Sequence, residues 1–283
     1  MSTITLSLSD KEITKFNSVY HEYLVDSNNQ YIKYQYRLEG AVITVYTSNK
    51  AVFQGNDAHI YAAAFIKKEK AMAGSDEVGT GDYFGPVCVC ACIVEENDYE
   101  FLRNLKVDDS KNLTDEHIST IAPKIMQRLK YSILILDNTK YNKVHETNNM
   151  NEIKAKLHNQ AYINLIHKGY TIPKAAYVDQ FEPEDSYFRH IQSEKEIYRD
   201  LTFEVKAESK YIAVACASII ARYAFLESMK KMSQYYKFEF PKGAGEIVDI
   251  KAQEFVNRYS IAKLKDVAKI HFKNTEKITS HNV

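Results

Sequence analysis

The chain has 283 residues, and its 37 Lys and Arg balance 37 Asp and Glu, so the formal charge at neutral pH is zero. At 45% hydrophobic and 26% charged, with 9 Gly and 5 Pro, it is globular material for one large or two smaller domains, which excludes a disordered tail, a fibre or a low-complexity scaffold. No apolar run approaches the ~18–20 residues of a membrane span, the N-terminus has no basic stretch leading into an apolar one, and a zero net charge argues at first sight against a nucleic-acid partner.

Taken in chain order, residues 4–8 alternate like a strand and residues 13–24 read as an amphipathic helix. Residues 31–39 and 41–47 alternate again about a turn at Gly40, residues 51–55 form a further short strand, and a helix follows over 56–67. This is a small α+β module with a curved antiparallel sheet, residues 1–66, and the run Lys67-Lys68-Glu69-Lys70 reads either as a hinge to a second domain over 67–283 or as a solvated helix end. There the pattern predicts strands over 71–75 and 87–94, then a helix over 114–130. That helix starts at Thr114, a good N-cap, with Asp115 and Glu116 at the positive end of its dipole. A strand over 131–136, a helix over 151–168 and strands over 175–179 and 202–206 come next. The last predicted helix, 209–232, carries small residues at Ala213, Ala217 and Ala221 that let it press on a sheet. A three-strand meander followed by β-α-β crossovers implies an α/β fold, a mixed sheet covered by helices. The four cysteines, Cys88, Cys90, Cys92 and Cys216, have neither zinc-site spacing nor disulfide geometry and read as small core residues of a protein from a reducing compartment.

The densest chemical signal is Gly74-Ser75-Asp76-Glu77-Val78-Gly79-Thr80-Gly81-Asp82-Tyr83-Phe84-Gly85-Pro86. Two acids at the end of a strand run into a Gly-rich loop whose backbone is open to close approach by a sugar-phosphate chain. Successive strand side chains point to opposite faces, so Asp76 and Glu77 reach one site only if the strand ends or twists there. A dinucleotide fingerprint is excluded, because the loop leads into a strand and not into a helix. A phosphatase or actin-like reading has only a partial Asp-x-x-Gly-Thr match, while a plain hairpin turn with two solvated acids stays open for this segment alone. Asp179 ends an apolar strand, where α/β sheets place their sites, and Glu208 begins the Ala-rich helix. Four acids around a Gly-rich loop make an oxygen-rich pocket suited to Mg²⁺ or Mn²⁺. Two such ions can activate water and stabilise the leaving oxygen in phosphodiester cleavage.

That segment is followed in order by Val107-Asp108-Asp109-Ser110-Lys111-Asn112-Leu113, Tyr177-Val178-Asp179-Gln180-Phe181 and Lys206-Ala207-Glu208-Ser209-Lys210. Then come Ala217-Ser218-Ile219-Ile220-Ala221-Arg222-Tyr223, Pro241-Lys242-Gly243-Ala244-Gly245 and His271-Phe272-Lys273-Asn274. As an ordered set over about 70–274, these resemble bacterial ribonuclease HIII. The N-terminal module is similar to that family's substrate-binding extension, whose fold is like the TATA-binding protein. The resemblance implies a ribonuclease H-like fold and an endonuclease that cuts the RNA strand of RNA–DNA hybrids, leaving 3′-hydroxyl and 5′-phosphate ends. It places the metal-binding and catalytic acids at Asp76, Glu77, Asp179 and Glu208, with glutamate in the fourth place favouring type III over type II. Gly79, Thr80 and Gly81 stand where type II enzymes carry Gly-Arg-Gly, and their backbone would contact ribose 2′-hydroxyls. Ser110 and Lys111 are candidates for a phosphate of the DNA strand, and Lys242 has similar status. Tyr83 and Phe84, inside the loop, are the aromatic contact candidates, and His271 is left out of the site.

The competing reading is a non-catalytic nucleic-acid-binding protein on the same fold. Four retained acids speak against it, because clustered carboxylates repel phosphate unless metal is present. The expected protein is a cytoplasmic monomer with no membrane partner. The zero net charge hides an uneven distribution, since residues 230–283 carry eleven Lys and Arg against six acids, a net of +5. That reads as evidence against indiscriminate binding, not against a nucleic-acid partner.

Overall fold

A computed structural model describes residues 2–65, 70–107 and 113–280, and the chain divides into two compact units, Met1–Glu69 and Lys70–Val283. In the first, β1 (Ser2–Ser7), β2 (Ile32–Leu38), β3 (Ala41–Tyr46) and β4 (Lys50–Gly55) form an antiparallel sheet in the order β1-β4-β3-β2. Helix α1 (Asp10–Tyr20) starts at a capping box, Ser9 with Glu12, three residues earlier than the apolar periodicity alone predicts. Helix α2 (Ala58–Ala63) ends sooner than expected. Both helices feed one core, in which Ile13 and Phe16 meet Tyr36, Ile43, Val45, Phe53, Ala58 and Ala62. Strand alternation sends the remaining side chains to the other face. There the register aligns Thr3, Gln54, Val42 and Arg37 in one row and Thr5, Val52, Thr44 and Gln35 in the next.

The second unit carries β5 (Met72–Val78), β6 (Val87–Val94), β7 (Lys130–Leu136), β8 (Ala176–Asp179) and β9 (Thr202–Glu204) in the order β7-β6-β5-β8-β9. The first three pair antiparallel, and β8 and β9 then add parallel to β5, so the expected mixed sheet is present. Around it lie α3 (Tyr99–Asn104), α4 (Asp115–Arg128), α5 (Asn138–His145), α6 (Met150–His167), α7 (Glu184–His190), α8 (Ile212–Tyr236), α9 (Glu246–Tyr259) and α10 (Lys273–Ser280). Strand β6 is buried at every residue because both faces are covered. Cys88, Cys90, Cys92 and Val94 join α4, α8 and α9 in one core, while Ala91 and Ile93 face Tyr162 and Leu165 of α6. All four cysteines are buried, as expected of core thiols.

Three elements depart from the periodicity reading. Strand β5 runs on through Asp76 and Glu77, because it keeps its antiparallel register with β6 from Met72–Val94 to Val78–Cys88. Strand β9 stops at Glu204, and Lys206 turns left-handed at φ 57°. Helix α8 begins three residues later than predicted and extends to Tyr236. The most apolar 18-residue window of α8 has a mean hydropathy of 1.5, so by length and composition the helix could cross a membrane, although Arg222 and Glu227 interrupt its apolar run. Its surroundings explain the composition: Ala213, Ala217 and Ala221 are fully buried against the sheet.

The approach of α8 to β5 is closest at Gly74, where a Cβ would lie 2.4 Å from the Val214 nitrogen and 2.6 Å from the Ala213 carbonyl carbon. Gly74→Ala therefore has to push the helix off the strand. It should cost about 1–3 kcal/mol and lower the thermal unfolding midpoint by roughly 2–12 °C, and an unchanged midpoint would contradict this packing.

Candidate active site

The candidate site lies where β5 changes neighbours, with antiparallel β6 on one side and parallel β8 on the other. Ser75 is in register with Val178, so Asp76 and Asp179 are the next residues along two adjacent strands. Both point to the α8 side of the sheet. Asp76 is 7% exposed, its Oδ1 accepts the Glu77 N–H at 2.7 Å, and the Ser218 hydroxyl of α8 bonds its carboxylate. Asp179 Oδ1 accepts the Ala207 N–H at 2.7 Å. The left-handed turn at Lys206 brings Glu208 onto a single 3₁₀ turn, Ala207–Ser209, where its carboxyl hydrogen-bonds that of Asp179. Sequence distance thus becomes a compact acid group: Asp76, Asp179 and Glu208.

The charges of that group are only partly compensated by the protein. Burial, then the neighbouring Glu77 and Asp179, push the Asp76 carboxyl well above the usual carboxylate range. Burial and the approach of Glu208 and Glu77 raise Asp179 to about 6, against the opposing pull of the Ala207 N–H. An acid cluster of this kind fits a hard divalent cation, which oxygen donors bind and whose charge would relieve the repulsion.

Glu77 is placed differently. As the next residue on β5, it faces α6, and burial, which would raise its carboxyl, is outweighed there by His158 and Lys154, which hold it below the usual range. Lys154 Nζ stands 3.0 Å from Glu77 Oε1, and His158 Nε2 stands 3.0 Å from Oε2, while His158 Nδ1 meets Ser75 Oγ at 2.8 Å. Lys154 also sits 3.8 Å from the centre of the Phe181 ring. Among the described residues no three Asp, Glu, His or Cys side chains stand close enough to form a finished metal cage, Asp76, Asp179 and Glu208 included. Lys154 and His158 were not singled out by sequence reasoning. Their i, i+4 spacing inside a helix predicted to cover the sheet is the signal that could have found them.

The Gly-rich segment forms the β5–β6 turn. Gly79 has φ +97°, and a Cβ there would meet the Pro86 carbonyl oxygen at 2.2 Å and the Phe225 ring at 3.1 Å, so only glycine fits. Thr80 is half-buried and Gly81 exposed at the tip. Tyr83 and Phe84 are fully buried, which corrects their assignment as contact candidates: they pack on Phe272 and Phe240. Ser110 and Lys111 lie outside the described residues. Lys242 pairs with Asp115, which also takes Arg222 at 2.6 Å. His271 stacks on His145 with ring centres 3.9 Å apart, away from the acids.

A family model described as Ribonuclease HII matches residues 73–275, and a second, described as Domain of unknown function (DUF3378), matches residues 3–77. Ribonuclease HIII of Streptococcus gordonii is 40% identical over 98% of both chains. This chain belongs to the ribonuclease HII/HIII family. Ribonuclease HIII of Streptococcus pneumoniae is 38% identical, over 98% of this chain and 99% of that one. Among solved structures, Bst-RNase HIII in complex with Mn²⁺ superposes with a TM-score of 0.73 at 34% identity, covering 99% of each chain. The ribonuclease H2 from Pyrococcus horikoshii OT3 covers 75% of this chain and 98% of its own, with a TM-score of 0.64 at 25% identity. As a member of that family this chain is an endoribonuclease on a ribonuclease H-like fold, and the comparisons give no support to the non-catalytic alternative.

The acid cluster has a measurable cost. A carboxyl raised in the folded state stabilises the protein below its unfolded pKa, and that stability is lost as pH rises through the folded value. At neutral pH in EDTA, Asp76→Asn should therefore raise the unfolding midpoint, by about 2–4 °C for each kcal/mol relieved. Added Mn²⁺ should raise the midpoint of the wild type more than that of the variant, and the reverse order would remove Asp76 from the metal site.

Proposed function

We propose that this chain cuts the RNA strand of RNA–DNA hybrids with Mg²⁺ or Mn²⁺ held by Asp76, Asp179 and Glu208, with Glu77 as the fourth acid. The observation that carries this is the convergence of Asp76 and Asp179 on adjacent parallel strands with Glu208 against them. When bound, the divalent ions lower the pKa of a water and neutralise phosphate charge. The protein's own part is to hold the acids still. The backbone N–H groups of Glu77 and Ala207 and the Ser218 hydroxyl fix the carboxylates of Asp76 and Asp179 before substrate arrives.

Selection of RNA is assigned to the loop tip. Among the described residues, no hydrogen bond within the protein uses the backbone N–H or C=O of Thr80 or Gly81. These groups suit a ribose 2′-hydroxyl, which both donates and accepts, and need no base contact. Residues 1–66 are proposed as a substrate-gripping module. The helix-free face of their sheet presents Thr3, Gln54 and Arg37, side chains suited to phosphate and sugar oxygens. A cytoplasmic monomer remains the proposed working form.

Cleavage of an end-labelled hybrid tests the reading. The wild type should cut with Mg²⁺ or Mn²⁺ and leave 5′-phosphate ends. Asp76→Asn and Glu208→Gln should each lose about 10²–10³ in kcat, the scale of removing one transition-state stabilising group. No cutting with either ion would overturn the proposal. A chain lacking residues 1–66 should keep kcat within about threefold while KM rises about tenfold, roughly 1.4 kcal/mol of lost grip, and an unchanged KM would remove that role from the module.

A further inference from the structure

Lys269 is a lysine with no exposed surface, and no carboxylate lies within ion-pairing distance of it among the described residues. Its Nζ donates to two main-chain carbonyls, Asp82 O at 2.7 Å and Gly85 O at 2.6 Å. Its own N–H donates to Tyr83 O at 2.9 Å, so one residue takes three carbonyls of the Gly-rich segment. Phe84 forms an isolated bridge with Ala268, the Gly85 N–H donates to Val267 O at 3.0 Å, and Asn138 Nδ2 donates to Gly85 O at 2.9 Å.

Burying an ammonium is expensive, and an apolar side chain of similar volume is often neutral or better for stability. Burial lowers Lys269 to about 8, a sign of the same penalty. All the polar partners that offset this cost belong to one loop. With the carbonyls of 82, 83 and 85 drawn inward, the loop is closed at its base, and its tip at Thr80 and Gly81 keeps its main-chain groups for a ligand. We propose that Lys269 is a positioning residue for ribose recognition, holding the Gly79–Gly81 tip in the shape that meets a 2′-hydroxyl. It touches neither substrate nor metal, and the inference rests on the reading of that tip as the ribose contact.

The test compares the full-length wild type with Lys269→Met by steady-state cleavage of a hybrid, with a DNA duplex of the same sequence as competitor. The expected pattern is a KM for the hybrid raised about tenfold, with kcat within about threefold and the inhibition constant of the DNA duplex unchanged. A fall in kcat alone, an equal weakening towards hybrid and DNA duplex, or no change would overturn the proposal. Should Lys269→Met not fold, Asn138→Ala removes the neighbouring donor to Gly85 O and should raise KM about threefold with the same selectivity, and an unchanged KM would again overturn it. Gly81→Val separates the two layers. If it raises KM while Lys269→Met does not, the tip reads ribose and Lys269 does not position it. If neither moves KM, the tip is not the ribose contact.

Discussion

The catalytic unit depends on one strand serving two kinds of neighbour. On one side β5 is half of a hairpin, so its Gly-rich turn and its acids are fixed by local sequence and antiparallel register. On the other side it receives β8 in parallel, a pairing that needs the whole crossover through α4, β7, α5 and α6 before it can form. The acids from the two halves meet only there. Asp76 and Asp179 lie towards the carboxyl ends of the parallel pair β5 and β8, the end at which open α/β sheets commonly place ligands. Gly74 completes the arrangement by letting α8 and its Ser218 come within bonding reach of the same acids.

Much of this was legible in the sequence because the signals were local. The capping residue Thr114, the alternation of 87–94 and the small residues of α8 each act within a few positions; α4 and β6 formed where their patterns placed them, and α8 did so with its ends shifted by three and four residues. Strand β5 read short because Asp76 and Glu77 are poor strand formers taken alone, and only the register with β6 carries the strand through them. Helices α3, α5, α7, α9 and α10 were absent from the periodicity reading. They are short or weakly amphipathic, and α5 depends on an Asp137 cap that is visible only once β7 is known to end beside it.

At the site, the residue types and their order pointed to the four acids, while their facing did not follow from order. Alternation along β5 sends Asp76 and Glu77 to opposite sides, and the partners that engage Glu77 come from α6, more than seventy residues away in sequence. Tyr83 and Phe84 mislead for the complementary reason. A loop beside a proposed nucleic-acid site invites aromatic contacts, but this loop is folded back on the core by the segment around Lys269, which no pattern within the loop announces. Electrostatics follows the same division: zero net charge was easy to count, whereas the uncompensated acids on one face of the sheet appear only in three dimensions.

The row of Cys88, Cys90 and Cys92 along β6, with Cys216 of α8 above it, has a chemical consequence of its own. Burial lifts the Cys88 thiol to about 12, and Cys90 and Cys216 also stand well above the ordinary thiol range. Oxidants and alkylating agents attack the thiolate, which burial disfavours at Cys88, Cys90 and Cys216. All four side chains are buried, so none is presented to reagents in solution. The acids proposed to hold metal include no sulfur, so the proposed chemistry does not depend on keeping a thiol reduced.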